Sequence, residues 1–95
     1  MDCEKISFSG HAVQRMFERG IGKESVIEVI RTGDVIVSYP DDYPYPSFLM
    51  LGLKKAMPIH AVVARDDADG NCYVNTVYLP KVEIWEAGFR ERRES

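Results

Sequence analysis

The sequence predicts an α+β domain: two N-terminal helices packed on a four-stranded, mainly antiparallel twisted sheet, with a short C-terminal helix. Two segments with helical periodicity come first, and four segments with strand-like patterns follow them. Helices and strands are thus segregated along the chain, which favours helices on one face of an antiparallel sheet. The 95 residues, of which 45% are hydrophobic, suffice for one domain with one core.

Both predicted helices have start and stop signals. Ser9 is a good N-cap for a helix over residues 10–19, and Gly20 can take the left-handed conformation that ends it. A second helix is predicted over residues 23–32 and is closed by Gly33. Because both helices are short, they need a sheet to pack on.

The pattern then changes to that of strands, which are predicted at residues 35–39, 47–53, 59–65 and 72–79. Prolines make residues 41–46 a loop, and the aspartates and glycine of residues 66–70 predict a hairpin turn rather than a calcium loop, whose closing glutamate is missing. A turn centred near Ala68 would pair Thr76 with His60. Residues 81–89 are expected to form the C-terminal helix.

The domain is expected to span residues 6–90, with flexible termini at residues 1–5 and 91–95. The apolar positions that face inward on the predicted helices and strands define the expected core. These are Val13, Met16, Phe17, Val26, Ile27, Ile30, Phe48, Leu49, Leu51, Val62, Val77 and Trp85.

The composition also indicates in which compartment the protein lies and which classes of partner it can bind. Cys3, in a terminus expected to be mobile, and Cys72, in an apolar run, are predicted to be free thiols in a reducing cytoplasm. No apolar segment is long enough for a membrane span, and no signal-peptide pattern is present. The net charge of −3 disfavours a nonspecific nucleic-acid coat but leaves room for a local basic cleft, at Arg15 and Arg19 or at residues 90–93.

The two histidines are the first candidates for acid–base chemistry. His11, in the first turn of a helix, lies beside free backbone N–H groups that can bind an anion, and Arg15 could add a phosphate contact one turn later. His60 shares a strand face with small apolar residues. The alternatives are a solvated helix face for His11 and a hydrogen-bonded structural role for His60.

Thr76 and Tyr78 point to one side of the last predicted strand and offer two hydroxyl groups, although both residue types are also common in strands for their shape alone. No Cys-x-x-Cys, His-x-x-x-His or Glu-x-x-His spacing occurs, so no metal and no cofactor is expected.

Several short motifs, taken together in order and spacing, resemble a bacterial and archaeal family of small uncharacterised domains. The family is usually placed in the barnase–EndoU–colicin–RelE-like superfamily. The matching motifs span roughly residues 6–90. They are Ser9-Gly10-His11-Ala12, Arg15-Met16, Arg19-Gly20-Ile21, Tyr39-Pro40, Tyr45-Pro46-Ser47, Pro58-Ile59-His60-Ala61-Val62 and Thr76-Val77-Tyr78-Leu79-Pro80, with Trp85 after them.

The resemblance implies a RelE-like toxin of a toxin–antitoxin pair that acts on RNA, because genes of the family often lie beside antitoxins with a zinc-binding segment. A metal-independent endoribonuclease is the enzyme it implies. Carried over by position, its polar residues are His11, Arg15, Ser47, His60, Thr76 and Tyr78.

Metal-free RNA cleavage needs a base, an acid and a cation at the phosphate. The histidines would supply the first two and Arg15 the third, while Thr76 and Tyr78 orient the phosphate, and Ser47 and Arg19 add binding contacts. The sequence therefore predicts that His11, Arg15 and His60 converge on one groove where the first helix meets the sheet. The alternative is a non-catalytic interaction module, partner-binding or homodimeric, built on the tyrosine- and proline-rich residues 39–45.

Overall fold

The computed structural model describes residues 1–94, which form two helices and a five-stranded mixed sheet. In chain order the elements are β1 (Ile6–Phe8), α1 (Gly10–Arg19), α2 (Lys23–Thr32), β2 (Asp34–Tyr39), β3 (Ser47–Lys54), β4 (Met57–Asp66) and β5 (Asn71–Tyr78). Within the described residues, neither helix is long and apolar enough to cross a membrane.

Both helices have the predicted bounds, because local signals set them. The Ser9 hydroxyl accepts a hydrogen bond from the Ala12 N–H and caps α1. Gly20 ends α1 at φ 66°, and its N–H donates to the carbonyls of Met16 and Phe17. Gly33 ends α2 by donating its N–H to the Val29 carbonyl.

The prediction of a four-stranded, mainly antiparallel sheet is wrong, because residues 6–8 form a fifth strand. The strand order is β1-β5-β4-β3-β2, in which β1 runs parallel to β5 and the other neighbours are antiparallel. Three residues are too few to show the alternation that identifies a strand in a sequence. This strand exists only because β5 supplies partners, with Ile6 opposite Cys72 and Phe8 opposite Val74.

The predicted C-terminal helix is also wrong. Residues 81–94, here called the C-terminal segment, form turns and a short antiparallel bridge between Trp85 and Arg92. Gly88 and Phe89 have φ values of 90° and 61°, which a right-handed helix cannot include. The chain reverses there, and the Trp85 ring is buried against the body of the protein.

The prediction of two free thiols is wrong, since Cys3 and Cys72 form a disulfide with Cα atoms 5.6 Å apart. Backbone hydrogen bonds hold the N-terminal segment along β5: Glu4 N–H donates to the Gly70 carbonyl and Cys72 N–H to the Lys5 carbonyl. The sequence does not reveal this long-range pairing. The argument from free thiols to a reducing compartment therefore loses its basis.

The core lies between the helices and the sheet. Of the predicted core residues, seven are buried: Met16, Val26, Ile30, Leu49, Leu51, Val77 and Trp85. Ile27, Phe48 and Val62 are only partly buried. Val13 and Phe17 are 43% and 87% exposed, so their assignment to the core is wrong. Helix α1 packs mainly on the single strand β5, and its narrow buried stripe consists of Ala12 and Met16.

The sheet has two different faces. The covered face packs against both helices and includes Met50, Ile59, Ala61, Val63, Cys72, Val74 and Val77. Residues that alternate with these point to the other side, here called the open face, of which the C-terminal segment covers one end. The open face presents Tyr39, Ser47, Leu49, Leu51, His60, Val62, Ala64, Tyr73, Thr76 and Tyr78.

Candidate functional site

Strand register brings four of the predicted site residues to the open face. Ser47 of β3 pairs with Ala64, while His60 of β4 pairs with Tyr78 of β5. Thr76 pairs with Val62, so the predicted pairing of Thr76 with His60 is wrong. A bulge beside Val62 shifts the register of this hairpin, a displacement that turn position alone does not indicate.

His60 is fully buried, and both of its ring nitrogens are hydrogen-bonded. The Phe89 carbonyl accepts a hydrogen bond from Nε2 at 2.8 Å, which leaves Nδ1 to accept one from the Tyr78 hydroxyl at 3.1 Å. The Trp85 ring stands edge-on at 4.5 Å between centroids. Burial lowers the pKa of His60 because it disfavours the imidazolium, although the bond to the Phe89 carbonyl partly opposes this. The ring has no nitrogen left for a ligand.

Tyr78 lies beside His60 on the open face, and its hydroxyl group is hydrogen-bonded to the His60 ring. Burial raises the pKa of Tyr78, electrostatic repulsion from the Tyr39 phenol group raises it further, and the Arg92 guanidinium lowers it. Tyr39 lies on the edge strand β2 and Arg92 in the C-terminal segment, so the two groups that act on the pKa of Tyr78 come from separate parts of the chain. Tyr39, Tyr78 and Arg92 form what is here called the Tyr78 cluster.

Arg92 is the cation of this cluster. Its neighbours are engaged elsewhere, since Arg90 pairs with Asp34, and Arg93 pairs with Glu86 at 3.3 Å. Within residues 1–94, Arg92 has no ion pair, although its backbone is fixed by the bridge to Trp85. A guanidinium near a phenol group is suited to a phosphate.

A pocket of about 280 Å³ occupies the other end of the open face, between residues 40–46 and β5. We call it the tyrosine pocket; it is lined by Asp42, Tyr43, Pro44, Tyr45, Ser47, Ala64, Tyr73 and Asn75. The rings of Tyr45 and Tyr73 stack with centroids 5.4 Å apart, and buried Ser47 donates a hydrogen bond to the Asp42 carboxylate. Ser47 therefore holds Asp42 rather than reaching a ligand itself.

The predicted groove of His11, Arg15 and His60 does not form. Helix α1 packs on the covered face, and its polar stripe of His11 and Arg15 is exposed, with Arg15 paired to Glu18 at 3.1 Å. His60 lies on the opposite side of the sheet, because its neighbours Ile59 and Ala61 face the helices. Arg19 is exposed in the last turn of α1, so it is also remote from the open face.

The sequence indicates Arg92 only as part of the basic residues 90–93 and Tyr39 only as part of the interaction module of residues 39–45, and it does not indicate Tyr73 at all. One usable signal is present in β4, where Ile59, Ala61 and Val63 are all apolar while the residues between them include the single polar residue, His60. That parity assigns His60 to the other face. No sequence pattern brings Arg92 back to the sheet, since that depends on how the C-terminal segment folds.

Among residues 1–94 there is no group of three or more histidine, cysteine or acidic side chains placed to hold a metal ion. No curated protein and no solved structure is significantly similar to the chain. A protein-family model described as "Domain of unknown function (DUF4258)" matches residues 8–79, from the end of β1 to the residue after β5. The match covers well over half of the 95 residues, and the chain therefore belongs to the DUF4258 family.

Proposed function

We propose that the chain is a toxin-like RNA-binding protein that binds single-stranded RNA on the open face of its sheet. The observation that carries the proposal is that Ser47, His60, Thr76 and Tyr78 share this face with Tyr39, and that the Arg92 guanidinium acts on Tyr78. These four positions also belong to the motifs that resemble the barnase–EndoU–colicin–RelE-like superfamily. The toxin role follows from that resemblance and stays a proposal. A cytoplasmic location is likewise only proposed, since the free thiols that predicted it form a disulfide.

The Tyr78 cluster offers the contacts that unpaired RNA needs. Tyr39 is exposed, and an exposed aromatic ring on a sheet can stack on an unpaired base. The Arg92 guanidinium can donate two parallel hydrogen bonds to two oxygens of a phosphate. Because the chain carries a net charge of −3, binding rests on this local cation, and few phosphates are engaged.

The open face favours binding over cleavage. His60 has no free nitrogen, and the single hydrogen of the Tyr78 hydroxyl is donated to its Nδ1. Burial also raises the pKa of Tyr78, so the phenol stays protonated and is a poor general base. His60 is therefore a positioning residue that fixes Tyr78, and the two-histidine mechanism is not part of this proposal.

The test is RNA affinity measured by fluorescence anisotropy with a labelled single-stranded oligonucleotide at several salt concentrations. Tyr39→Ala should weaken binding about 10-fold, the loss of one stacked base. Arg92→Ala should reduce the slope of log affinity against log salt by about 1. Arg15→Ala and Arg19→Ala are matched controls, because these arginines lie on α1 beyond the covered face, and both should bind like the wild type.

Loss of RNA binding in Arg15→Ala or Arg19→Ala, with Arg92→Ala unaffected, would move the site to α1 and refute the proposal. Cleavage of the oligonucleotide by the purified protein would contradict the choice of binding over catalysis. The toxin role is tested in cells: expression should arrest growth, and the product of a neighbouring gene should relieve the arrest. Normal growth on expression would contradict the toxin role.

A partner-binding module is the second candidate function. The observation that favours it is the loop of residues 40–46, in which Tyr43 is 95% exposed and contributes nothing to the core. Exposed tyrosines commonly anchor protein interfaces. Tyr43→Ala should then reduce capture of a protein partner, or self-association measured by sedimentation, without changing RNA affinity. Unchanged capture and self-association would remove this candidate.

A further inference from the structure

We propose that the tyrosine pocket binds an arginine side chain of a partner protein. The pocket is separate from Tyr78 and Arg92, while Tyr39 of the same cluster lies beside it, paired with Ser47. The arginine site is argued from the pocket's own residues and does not rest on RNA binding. Its volume of about 280 Å³ can admit one long side chain, and it lies between an exposed loop and β5 rather than beneath the C-terminal segment. Its charge and its held carboxylate select a cation, and its aromatic walls select a flat one.

The charge of the pocket is negative. Asp42 lines it, and the carboxylates of Asp66 and Asp69 lie near enough to raise the pKa of the Tyr45 hydroxyl. None of these three carboxylates has an ion pair within residues 1–94. The nearby cation Arg65 instead binds Asp67 at 2.6 Å and the Asp2 carbonyl at 2.9 Å. The pocket therefore attracts a positive group from outside.

The Asp42 carboxylate is held in place for such a group. Ser47, which is buried beneath the pocket, donates its hydroxyl hydrogen to one oxygen, Oδ2, and leaves Oδ1 without a protein donor among the described residues. A carboxylate fixed by a buried hydroxyl loses less side-chain entropy on binding than a free one. It can accept a directed, charge-assisted hydrogen bond from a guanidinium N–H.

The aromatic walls favour arginine over lysine. The rings of Tyr45 and Tyr73 are stacked at an interplanar angle of 11°, and Tyr43 stands exposed at the pocket. A planar guanidinium stacks on a tyrosine face while its edge binds a carboxylate, whereas an ammonium is a compact and strongly hydrated point charge. The geometry thus combines one stacking surface with one fixed carboxylate.

The same charges identify the class of partner. Carboxylates at the pocket repel phosphate, so a nucleic acid does not fit here. A protein segment with an exposed arginine fits, and its neighbouring residues can contact the ring of Tyr43 beside the pocket. The open face then has two ends of opposite chemistry: a cationic end at Arg92 and an anionic end at Asp42.

The experiment uses the full chain and short blocked peptides followed by NMR. The probes are acetyl-Gly-Arg-Gly-amide and its citrulline and lysine counterparts; citrulline keeps the shape of arginine but has no charge. The arginine peptide should shift the ring resonances of Tyr45 and Tyr73, and the citrulline peptide should bind at least about 10-fold more weakly, the loss of a charge-assisted contact.

Variants identify the pocket as the site. Asp42→Asn, which keeps an acceptor for Ser47 and so preserves the fold, should weaken binding of the arginine peptide about 10-fold. Asp67→Asn is the matched control, because Asp67 is an exposed carboxylate that pairs with Arg65 and does not line the pocket. It should bind the peptide like the wild type.

Equal binding of the citrulline peptide would overturn the proposal, because no cation would then be recognised. Equal affinity for the lysine peptide would overturn the choice of a guanidinium. Equal losses in Asp42→Asn and Asp67→Asn would show only a general attraction between charges, which also overturns it. RNA affinity of Asp42→Asn should not fall, so failure of this proposal and failure of RNA binding can be told apart.

Discussion

The two faces of the sheet differ although the same strands build them. In β4 the residues Ile59, Ala61 and Val63 are fully buried under the helices, whereas His60, which alternates with them, is buried beneath Trp85 and hydrogen-bonded to Phe89. The covered face is held by apolar packing and one disulfide, whereas the open face adds directed hydrogen bonds to its apolar contacts. Neighbouring residues of one strand thus pack against the helices on one side and hold the C-terminal segment on the other.

The buried polar residues sharpen this contrast. The two such residues among the described part of the chain, Ser47 and His60, both point to the open face, and each has hydrogen-bond partners. Residues 1–94 contain no buried side-chain nitrogen or oxygen without a partner. A polar side chain on the covered face would have no such partners, and its burial would cost free energy.

The largest expected effect is on the side of the covered face, where the disulfide fastens the N-terminal segment to β5. Opening a link between residues 69 positions apart should lower the free energy of unfolding by about 4 kcal/mol, because the unfolded chain regains loop entropy. Urea denaturation of the wild type with and without dithiothreitol measures this. The Cys3→Ser variant is the control, and its urea midpoint should be the same with and without dithiothreitol. A wild-type urea midpoint that dithiothreitol does not change would contradict the disulfide.

A substitution that creates a cavity under the covered face should have the next largest effect on the free energy of unfolding. Ile30 is fully buried between α2 and the sheet, so Ile30→Ala should lower the free energy of unfolding by roughly 2–5 kcal/mol. Ile30→Val should cost about 0.5–1.5 kcal/mol, because it removes one methylene. The two variants are compared by urea denaturation with the disulfide intact. Similar losses for both would mean that this position is not tightly packed.

The open face should show a pH dependence that the covered face lacks. Burial lowers the pKa of His60 below its ordinary 6.5, so the unfolded chain binds the proton more readily than the folded one. The stability that depends on neutral His60 is therefore present above about pH 6.5 and is lost as the pH falls below that value. Urea denaturation between pH 8 and pH 5 measures this slope.

His60→Gln should remove this part of the slope, and His11→Gln, on the exposed stripe of α1, should retain it. The pair is matched in chemistry and differs only in location. A wild-type slope in His60→Gln would mean that another group governs the acid response.

The smallest expected effect on stability is at an apolar residue that packs on neither face of the sheet. Phe17 is 87% exposed on α1, so Phe17→Ala should change the free energy of unfolding by no more than about 0.5 kcal/mol. Thermal and urea denaturation can both measure it. A loss comparable to that of Ile30→Ala would show that Phe17 belongs to a packed surface.

Some residues of the candidate site can be predicted from the local sequence, and others cannot. Ser47, Thr76 and Tyr78 were selected from motifs and share a face, while Arg92 and the pairing of Tyr45 with Tyr73 come from separate parts of the chain. His11 and Arg15 lie on an exposed helix stripe, as their spacing indicates, but on the other side of the sheet from His60. Their convergence depended on strand parity, which a one-residue shift reverses.

The sequence by itself determined the two helices, because Ser9 and Gly20 act on groups within a few residues of themselves and need no distant partner. It also determined the long strands, whose apolar residues repeat every second position. Only the tertiary structure decided that residues 6–8 are a strand, that Cys3 meets Cys72, and that the C-terminal segment covers His60. Each of these depends on a contact between residues far apart in the chain, and such contacts form only when the whole sheet does.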